Sequence, residues 1–282
     1  TIVGSLGVNG ELLSNAAVEQ SNPDYLGHKQ ETCVTVTWMK FCYRILQLTG
    51  DSTVADELER SIYNAMLGSV LKKELHAHIF DSYSPMMFQS RKNLGAGNQS
   101  FAEGGYYGCC ESIGSAGTGL IPAIAVMKSK NGLAVNLYIP GTVSAHTPSG
   151  KKAILETVTN YPAEGEVKLT LRLNASEPFD LLLRIPSWSR QTVVKVGPQE
   201  MEATPGEYLV IHREWKDGDT IALSLDMRTR AIKPADGSVN PNAHRHVALQ
   251  RGPLVLVRDA RLDGHDVIEA AAISSEDGYV QT

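Results

Sequence analysis

The stretch Leu133–Ile139, which reads Leu-Ala-Val-Asn-Leu-Tyr-Ile, marks the point where the periodicity of the apolar residues changes. Before it, apolar residues recur every three or four positions, which is typical of helices. After it, apolar and polar residues alternate in short runs, which is typical of strands. A switch of period indicates a domain boundary. The sequence therefore predicts an α+β multidomain protein divided into residues 1–128 and 129–282.

The first part is predicted to contain two amphipathic helices joined by a tight turn. Residues 31–49 carry an apolar stripe, Gly50 suits the end of that helix, and Asp51 suits the N-cap of the next. Cys42 falls on the stripe, so we expect a buried core thiol rather than a metal ligand. The second helix is predicted to turn its apolar residues inward and its charged residues largely outward. The inward residues are Val54, Leu58, Ile62, Leu67 and Val70, and the outward ones are Asp56, Glu57, Glu59 and Arg60.

The second part is predicted to be an antiparallel β-sandwich. Short runs of alternating or β-branched apolar residues are separated by turn signals such as Asn131-Gly132 and Asp217-Gly218. The predicted strands lie within 133–139, 153–158, 167–173, 180–185, 192–196, 208–212 and 220–227, with a strand pair within 246–257.

Composition limits the classes of partner. The chain has 282 residues, of which 42% are hydrophobic and 20% charged, with a net charge of −5. This balance argues against nucleic acid or an anionic membrane as the main partner. No apolar run approaches the roughly 20 residues that a membrane-spanning helix needs.

The cysteines suggest a metal site. The segment Gly105–Ser112 holds adjacent thiols at Cys109 and Cys110, and a third thiol, Cys33, stands two residues after Glu31. Zinc prefers four ligands drawn from thiolate, imidazole and carboxylate. We therefore predict that these three cysteines and Glu31 bind one Zn²⁺. The spacing is not that of a zinc finger, and a buried vicinal pair, a redox disulfide or unrelated core thiols remain alternatives.

A zinc-bound thiol would be ionised at neutral pH and could act as a nucleophile. A proton donor is then required, and Glu11, in a Gly-rich segment, is the acidic candidate; otherwise it is a solvated loop residue. His76 and His78 have a spacing that could also bind a metal, although one surface and one packed histidine is the more ordinary interpretation.

Several motifs together resemble glycoside hydrolase family 127, the β-L-arabinofuranosidase-like proteins. The resemblance spans nearly the whole chain in the right order. Its motifs are Gln30–Cys33, Thr49–Ser52, Ala55–Asn64, Cys109–Cys110, Asn136–Pro140, Leu183–Trp188, Trp215–Asp219 and Val247–Pro253.

The resemblance implies a partial (α/α)6 barrel in residues 1–128, followed by β-sandwich modules, and a carbohydrate substrate. It implies zinc held by Glu31, Cys33, Cys109 and Cys110. It also implies Cys109 as the nucleophile of a retaining mechanism and Glu11 as the general acid/base. Family members carry a long helical stretch before the segment equivalent to Thr1. The resemblance thus implies two candidate partners. One is the other half of the barrel, carried on another polypeptide, and the other is a second copy of this chain.

Three hypotheses follow from the sequence. The first is a retaining zinc-thiolate glycosidase that releases β-L-arabinofuranose or a related sugar. The second is a non-catalytic fragment in which zinc stabilises a glycan-binding or structural unit. The third is a redox protein that uses Cys109 and Cys110, which ranks last because adjacent cysteines form strained disulfides.

Overall fold

The computed structural model describes residues 32–68, 70–71, 87–88, 109–232, 247–256 and 275–280. Helix α1 spans Thr32–Thr49. Helix α2 spans Ser52–Arg60 and continues as a π-helical turn, Ser61–Met66, and helix α3 spans Cys109–Ala125. Among the described helices, none is long and apolar enough to cross a bilayer.

The predicted turn between the first two helices is confirmed. Gly50 adopts a left-handed backbone with φ of 65°, and its N–H donates to the carbonyl of Leu46 at 2.9 Å. The Asp51 carboxylate accepts from the N–H of Thr53 at 2.9 Å, which makes it the N-cap of α2. Glycine tolerates this conformation because it has no Cβ, and the carboxylate satisfies one of the free N–H groups of the first turn.

The helices share one apolar core. Its buried members are Met39, Cys42, Leu46, Ala55, Leu58, Ile62, Met66, Ile124, Ala125 and Leu137. Three predictions for the second helix are wrong: Leu67 is 45% exposed, Glu59 is only 1% exposed, and Val70 lies in a strand rather than in the helix. The π-helical turn explains the first error, because its wider turn rotates the residues that follow it away from the α-helical register.

The strands follow in chain order. They are β1 (Val70–Leu71), β2 (Met87–Phe88), β3 (Val126–Ser129), β4 (Gly132–Val135), β5 (Gly141–His146), β6 (Lys152–Thr159), β7 (Glu166–Leu173), β8 (Glu177–Arg184), β9 (Val193–Val196), β10 (Gln199–Met201), β11 (Tyr208–Trp215), β12 (Thr220–Ser224), β13 (Thr229–Ile232), β14 (Ala248–Arg251), β15 (Leu254–Leu256), β16 (Ser275–Glu276) and β17 (Tyr279–Val280).

These strands form four sheets. A six-stranded antiparallel sheet has the order β10-β9-β12-β7-β6-β5, and a four-stranded sheet has the order β11-β8-β4-β3. A five-stranded sheet, β15-β14-β13-β17-β16, and the pair β1-β2 complete the set. The expected short strands are thus present. The strands that were not predicted are β1, β2, β3, β5, β10, β13, β16 and β17.

The six- and four-stranded sheets bury their apolar faces in a common core. Along β7 and β8 every second residue is buried, as expected for strands with one covered face. The inward residues of these two strands are Val167, Leu169, Leu171 and Leu173, and Phe179, Leu181 and Leu183. Trp215, the last residue of β11, is fully buried in this core and donates its ring N–H to the carbonyl of Phe179 at 3.0 Å.

One pairing departs from the antiparallel expectation. Strands β4 and β8 are parallel, with Leu133 opposite Leu181. A parallel pair requires a long connection between its strands, and β5, β6 and β7 of the other sheet supply it here. The strand predicted to continue to Ile139 ends at Val135, because the N–H groups of Asn136 and Leu137 both donate to the carbonyl of Ala125 at the end of α3.

The parallel pairing predicts that Gly132 cannot carry a side chain. A Cβ at this position would lie 1.7 Å from the carbonyl oxygen of Asp180 on β8. We expect Gly132→Ala to lower the free energy of unfolding by roughly 1–3 kcal/mol, the usual cost of overpacking. Urea denaturation measures this. Gly68→Ala is the control, since a Cβ there meets nothing within 4 Å, and equal stability of the two variants would contradict the prediction.

Candidate functional site

The predicted metal ligands fall on the edges of the described structure. Cys33 lies in the first turn of α1, and Cys109 and Cys110 begin α3. The structure describes these helices but not the three cysteine side chains, and Glu11 and Glu31 lie outside the described residues, as do His76 and His78. Among the described residues, no three His, Cys, Asp or Glu side chains are grouped as metal ligands. The zinc site therefore stays a prediction.

The two cysteine-bearing helices are in contact. Helix α1 packs against α3, and the two approach closely at Gly117, where a Cβ would lie 2.6 Å from Cγ2 of Val36 and 3.2 Å from Sδ of Met66. Val36 and Met66 are fully buried. The fold thus brings together the elements that carry Cys33, Cys109 and Cys110.

Cys42 is a core thiol, as the sequence predicts. Its side chain is 2% exposed and belongs to the helical core. Burial, with a smaller contribution from the charge of Glu57, raises the pKa of the Cys42 thiol to about 12. A thiol with this pKa is protonated at neutral pH and is a poor nucleophile and metal ligand.

A buried ionic cluster joins α2 to the end of β8. The guanidinium of Arg184 has no exposed surface, and it donates to Glu59 Oε1 and to Asp56 Oδ1, each at 2.5 Å. Its Nε donates to the carbonyl of Asn136 at 2.6 Å. Burial alone would lower the pKa of Arg184, but the charges of Glu59 and Asp56 raise it well above its ordinary value.

Glu59 is satisfied by further donors from the sheets. The hydroxyl of Tyr161 donates to Oε1 at 2.6 Å, and the ring N–H of Trp188 donates to Oε2 at 3.1 Å. Burial and the charge of Glu59 raise the pKa of Tyr161 well above its ordinary value. The carboxylate therefore accepts from three partners in a region without exposed surface, and it binds α2 to the sheets.

Asn136 fastens the end of α3 to the same region. Its Nδ2 donates to the carbonyl of Ile124 at 2.8 Å, and its Oδ1 accepts from the hydroxyl of Tyr208 at 2.5 Å. The carbonyl of Ile124 belongs to the last turn of α3, where helical partners are missing. Both α2 and α3 are thus bound to the sheets by buried polar groups.

Sequence reasoning missed this cluster. Glu59 was predicted to face solvent because it stands among other charged residues. The available signal was its spacing of three from Asp56, which puts both carboxylates on one helical face. On the other side, Arg184 directly follows the inward-facing Leu183, so strand alternation points it to the opposite face of the sheet, where it meets Asp56 and Glu59 of α2.

The cluster predicts a strong dependence of stability on Arg184. Arg184→Met would leave two carboxylates unpaired, and breaking a buried ion pair costs about 3–5 kcal/mol. The matched control is Arg172→Met, because Arg172 pairs with Glu156 at 3.3 Å on the surface, where a pair contributes up to about 1 kcal/mol. Chemical denaturation of both variants measures the difference, and similar losses in the two would contradict the central role of the cluster.

The state of Cys42 predicts its reactivity. We expect Cys42 to resist alkylation by iodoacetamide at pH 8 in the native protein and to react after denaturation, because the native thiol is buried and protonated. Mass spectrometry of peptides after timed labelling measures this. Native labelling of Cys42 at the rate of a free cysteine would show that the helical core is not closed around it.

Two family models match the chain. The model described as the GH127 β-L-arabinofuranosidase catalytic domain matches residues 2–115, and the model described as the GH127 middle domain matches residues 132–227. The first range contains α1, α2 and the start of α3. The second contains the strands from β4 to β12.

Similar proteins agree with these models. The curated non-reducing end β-L-arabinofuranosidase of Bifidobacterium longum subsp. longum is 27% identical over 241 residues, which cover 80% of this chain and 34% of that protein. A solved GH127 β-L-arabinofuranosidase from Geobacillus stearothermophilus T6 is 25% identical with a TM-score of 0.59, over 80% of this chain and 36% of that one. A second solved GH127 β-arabinofuranosidase is 25% identical with a TM-score of 0.63, over 81% and 37%.

The chain therefore spans only about a third of the length of the relatives that it matches. The two family models together cover both its helical and its strand-rich parts. On these grounds the chain belongs to glycoside hydrolase family 127, the β-L-arabinofuranosidase family.

Proposed function

We propose that this chain is part of a retaining glycosidase that releases β-L-arabinofuranose or a related sugar from a glycan. The observation that carries the proposal is the match of residues 2–115 to the GH127 catalytic domain, a range that contains Glu11, Glu31, Cys33, Cys109 and Cys110. The similar β-L-arabinofuranosidases support the substrate class.

In the same proposal, residues 1–128 contribute the C-terminal part of an (α/α)6 barrel and residues 129–282 form β-sandwich modules. The order of elements supports this division, since the described helices end at Ala125 and β3 begins at Val126. The common core of the six- and four-stranded sheets supports the sandwich. A carbohydrate is the proposed partner.

The proposed metal is Zn²⁺, held by Glu31, Cys33, Cys109 and Cys110. Three thiols and a carboxylate suit zinc, which favours sulfur ligands and four-fold coordination. The packing of α1 against α3 supports a shared site, because the two helices that carry the thiols touch. Bound there, the metal would keep the thiols ionised at neutral pH.

The reaction proceeds in two displacements. The Cys109 thiolate attacks the anomeric carbon while the protonated Glu11 carboxyl gives its proton to the leaving oxygen, so that a C–S bond replaces the C–O bond. The Glu11 carboxylate then takes a proton from water, whose oxygen displaces the sulfur. Two inversions retain the configuration, as in glycosidases that use two carboxylates. Cys109 returns as thiolate and Glu11 as acid.

The test is an assay of the purified full chain on an aryl β-L-arabinofuranoside, with metal analysis of the same sample. We expect stoichiometric zinc and turnover in the wild type. Glu11→Ala is expected to lose about 10²–10⁴-fold, the usual contribution of general acid–base catalysis, and Cys109→Ser is expected to be inactive. Cys42→Ser is the matched control and should keep its zinc, because Cys42 lies in the helical core.

The outcomes separate the hypotheses. Equal rates in the wild type, Glu11→Ala and Cys109→Ser would end the glycosidase proposal. Stoichiometric zinc without turnover on any pentofuranoside would favour the non-catalytic, zinc-stabilised unit. The match covers only about a third of the length of the relatives, so the non-catalytic unit is retained as the second candidate.

A further inference from the structure

The contact between α1 and α3 leaves no room for a side chain at Gly117. An added Cβ would lie 2.6 Å from Cγ2 and 3.2 Å from Cγ1 of Val36. A β-branched side chain in a helix has essentially one χ1 rotamer, so Val36 cannot turn its methyl groups away. The missing side chain of Gly117 therefore sets how closely the two helices approach.

The proposed zinc ligands lie near this contact along both helices. Cys33 precedes Val36 by three residues, about 4.5 Å of helical rise, and Cys110 precedes Gly117 by seven residues, about 10.5 Å. Positions three apart share a helical face, and positions seven apart differ by only about 20°. The position of Cys33 thus lies on the face of α1 that includes Val36, and that of Cys110 on the face of α3 that includes Gly117.

The two helices also place these turns at the same end. On α1, the helical core contains Met39, Cys42 and Leu46, which follow Val36; on α3 it contains Ile124 and Ala125, which follow Gly117. At Gly117, α3 meets Met66 at the end of the continuation of α2, whereas Ile124 at its C-terminus binds Asn136, whose carbonyl accepts from Arg184, the partner of Glu59 nearer the start of α2. Helix α3 thus runs opposite to α2. Because α2 turns back along α1 after Gly50, α3 and α1 run in the same direction. Their first turns, with Cys33 on α1 and Cys110 on α3, then lie together on the other side of the contact.

A third element closes the contact. The π-helical turn places the fully buried Met66 beside it, with Sδ 3.2 Å from the position of a Cβ on Gly117. This turn begins two residues after Glu59, which the buried ion pair with Arg184 fixes to the sheets. The crossing of α1 and α3 is therefore packed from the side of α2 as well.

We propose that Gly117 is a positioning residue that sets the separation of the two cysteine-bearing helix starts and thereby the affinity of the site for zinc. This inference rests on the proposed function. Zinc–sulfur bonds are about 2.3 Å long, and the residues of a binding site must be held to within about 0.5 Å of their working positions. A Cβ at Gly117 would lie 2.6 Å from Cγ2 of Val36, well inside the 3.4–4 Å of ordinary contact, so Gly117→Ala would push the two helices apart.

The test uses the full chain and three variants: Gly117→Ala, the double variant Gly117→Ala/Val36→Ala, and Gly119→Ala. The double variant removes the two methyl groups that the new Cβ would meet. Gly119 lies on the same helix with nothing within 4 Å of a Cβ, so Gly119→Ala controls for the gain in helix propensity that any glycine-to-alanine change brings. Zinc affinity is measured by competition with a chromophoric chelator, and geometry by the absorption spectrum after Co²⁺ substitution.

We expect Gly117→Ala to weaken zinc binding on the order of 10–100-fold, as do changes in residues that orient metal ligands, and to alter the Co²⁺ spectrum. The double variant should recover the zinc affinity and the Co²⁺ spectrum of the wild type. Gly119→Ala should equal the wild type in both measurements. Circular dichroism of each variant checks that the helices are formed.

Two results would overturn the inference. One is a Gly117→Ala protein with unchanged zinc affinity and Co²⁺ spectrum; the other is a loss that Val36→Ala does not recover. A wild-type chain that binds no zinc would instead refute the metal site of the proposed function, so the two failures are distinguishable.

Discussion

The ion pair between Arg184 and Glu59 is the constraint on which the arrangement of helices and sheets depends. Neither side chain has appreciable exposure, so neither charge is compensated by water. A buried charge is tolerated only when its partners are all in place. Here the partners come from different parts of the chain: Asp56 and Glu59 from α2, Arg184 from β8, and Tyr161 and Trp188 from the connections between strands. Shifting α2 along the sheet would leave several of these groups unpaired at once, which restricts the helices to one position.

The position of α2 determines that of α3 through close packing of apolar side chains rather than through further charged groups. The π-helical turn after Glu59 inserts Met66 next to Gly117, and Val36 fills the other side of the same crossing. At the far end of α3, Asn136 binds the last helical carbonyls. Helix α3 is thus held at its crossing by apolar contacts and at its C-terminus by hydrogen bonds, and its first turn, with Cys109 and Cys110, projects from a fixed support.

The sequence predicts the parts of this structure that local rules govern. The turn at Gly50, the N-cap at Asp51 and the buried thiol at Cys42 all follow from residue type and helical period. The parallel pairing of β4 with β8 could not be predicted, because it depends on the path of three strands in another sheet. Glu59 was assigned to the wrong face because its spacing from Asp56 shows only that the two carboxylates share a helical face, and not that an arginine 125 positions away will pair with them. The zinc ligands were proposed from residue types and family resemblance, and no local rule fixes their geometry.

The described carboxylates also bear on which residue can act as an acid. A general acid must hold its proton near the working pH. Burial alone would raise the pKa of Glu177, but hydrogen bonds from Ser149 and Thr147 lower it below its ordinary value. Hydrogen bonds from Arg228 lower the pKa of Asp226. Both groups are therefore ionised at neutral pH. Glu59 is occupied by its own donors. These three buried carboxylates are committed to hydrogen bonds that position elements of the fold, and the general acid in the proposed function is a different residue, Glu11, for which the GH127 resemblance implies that role.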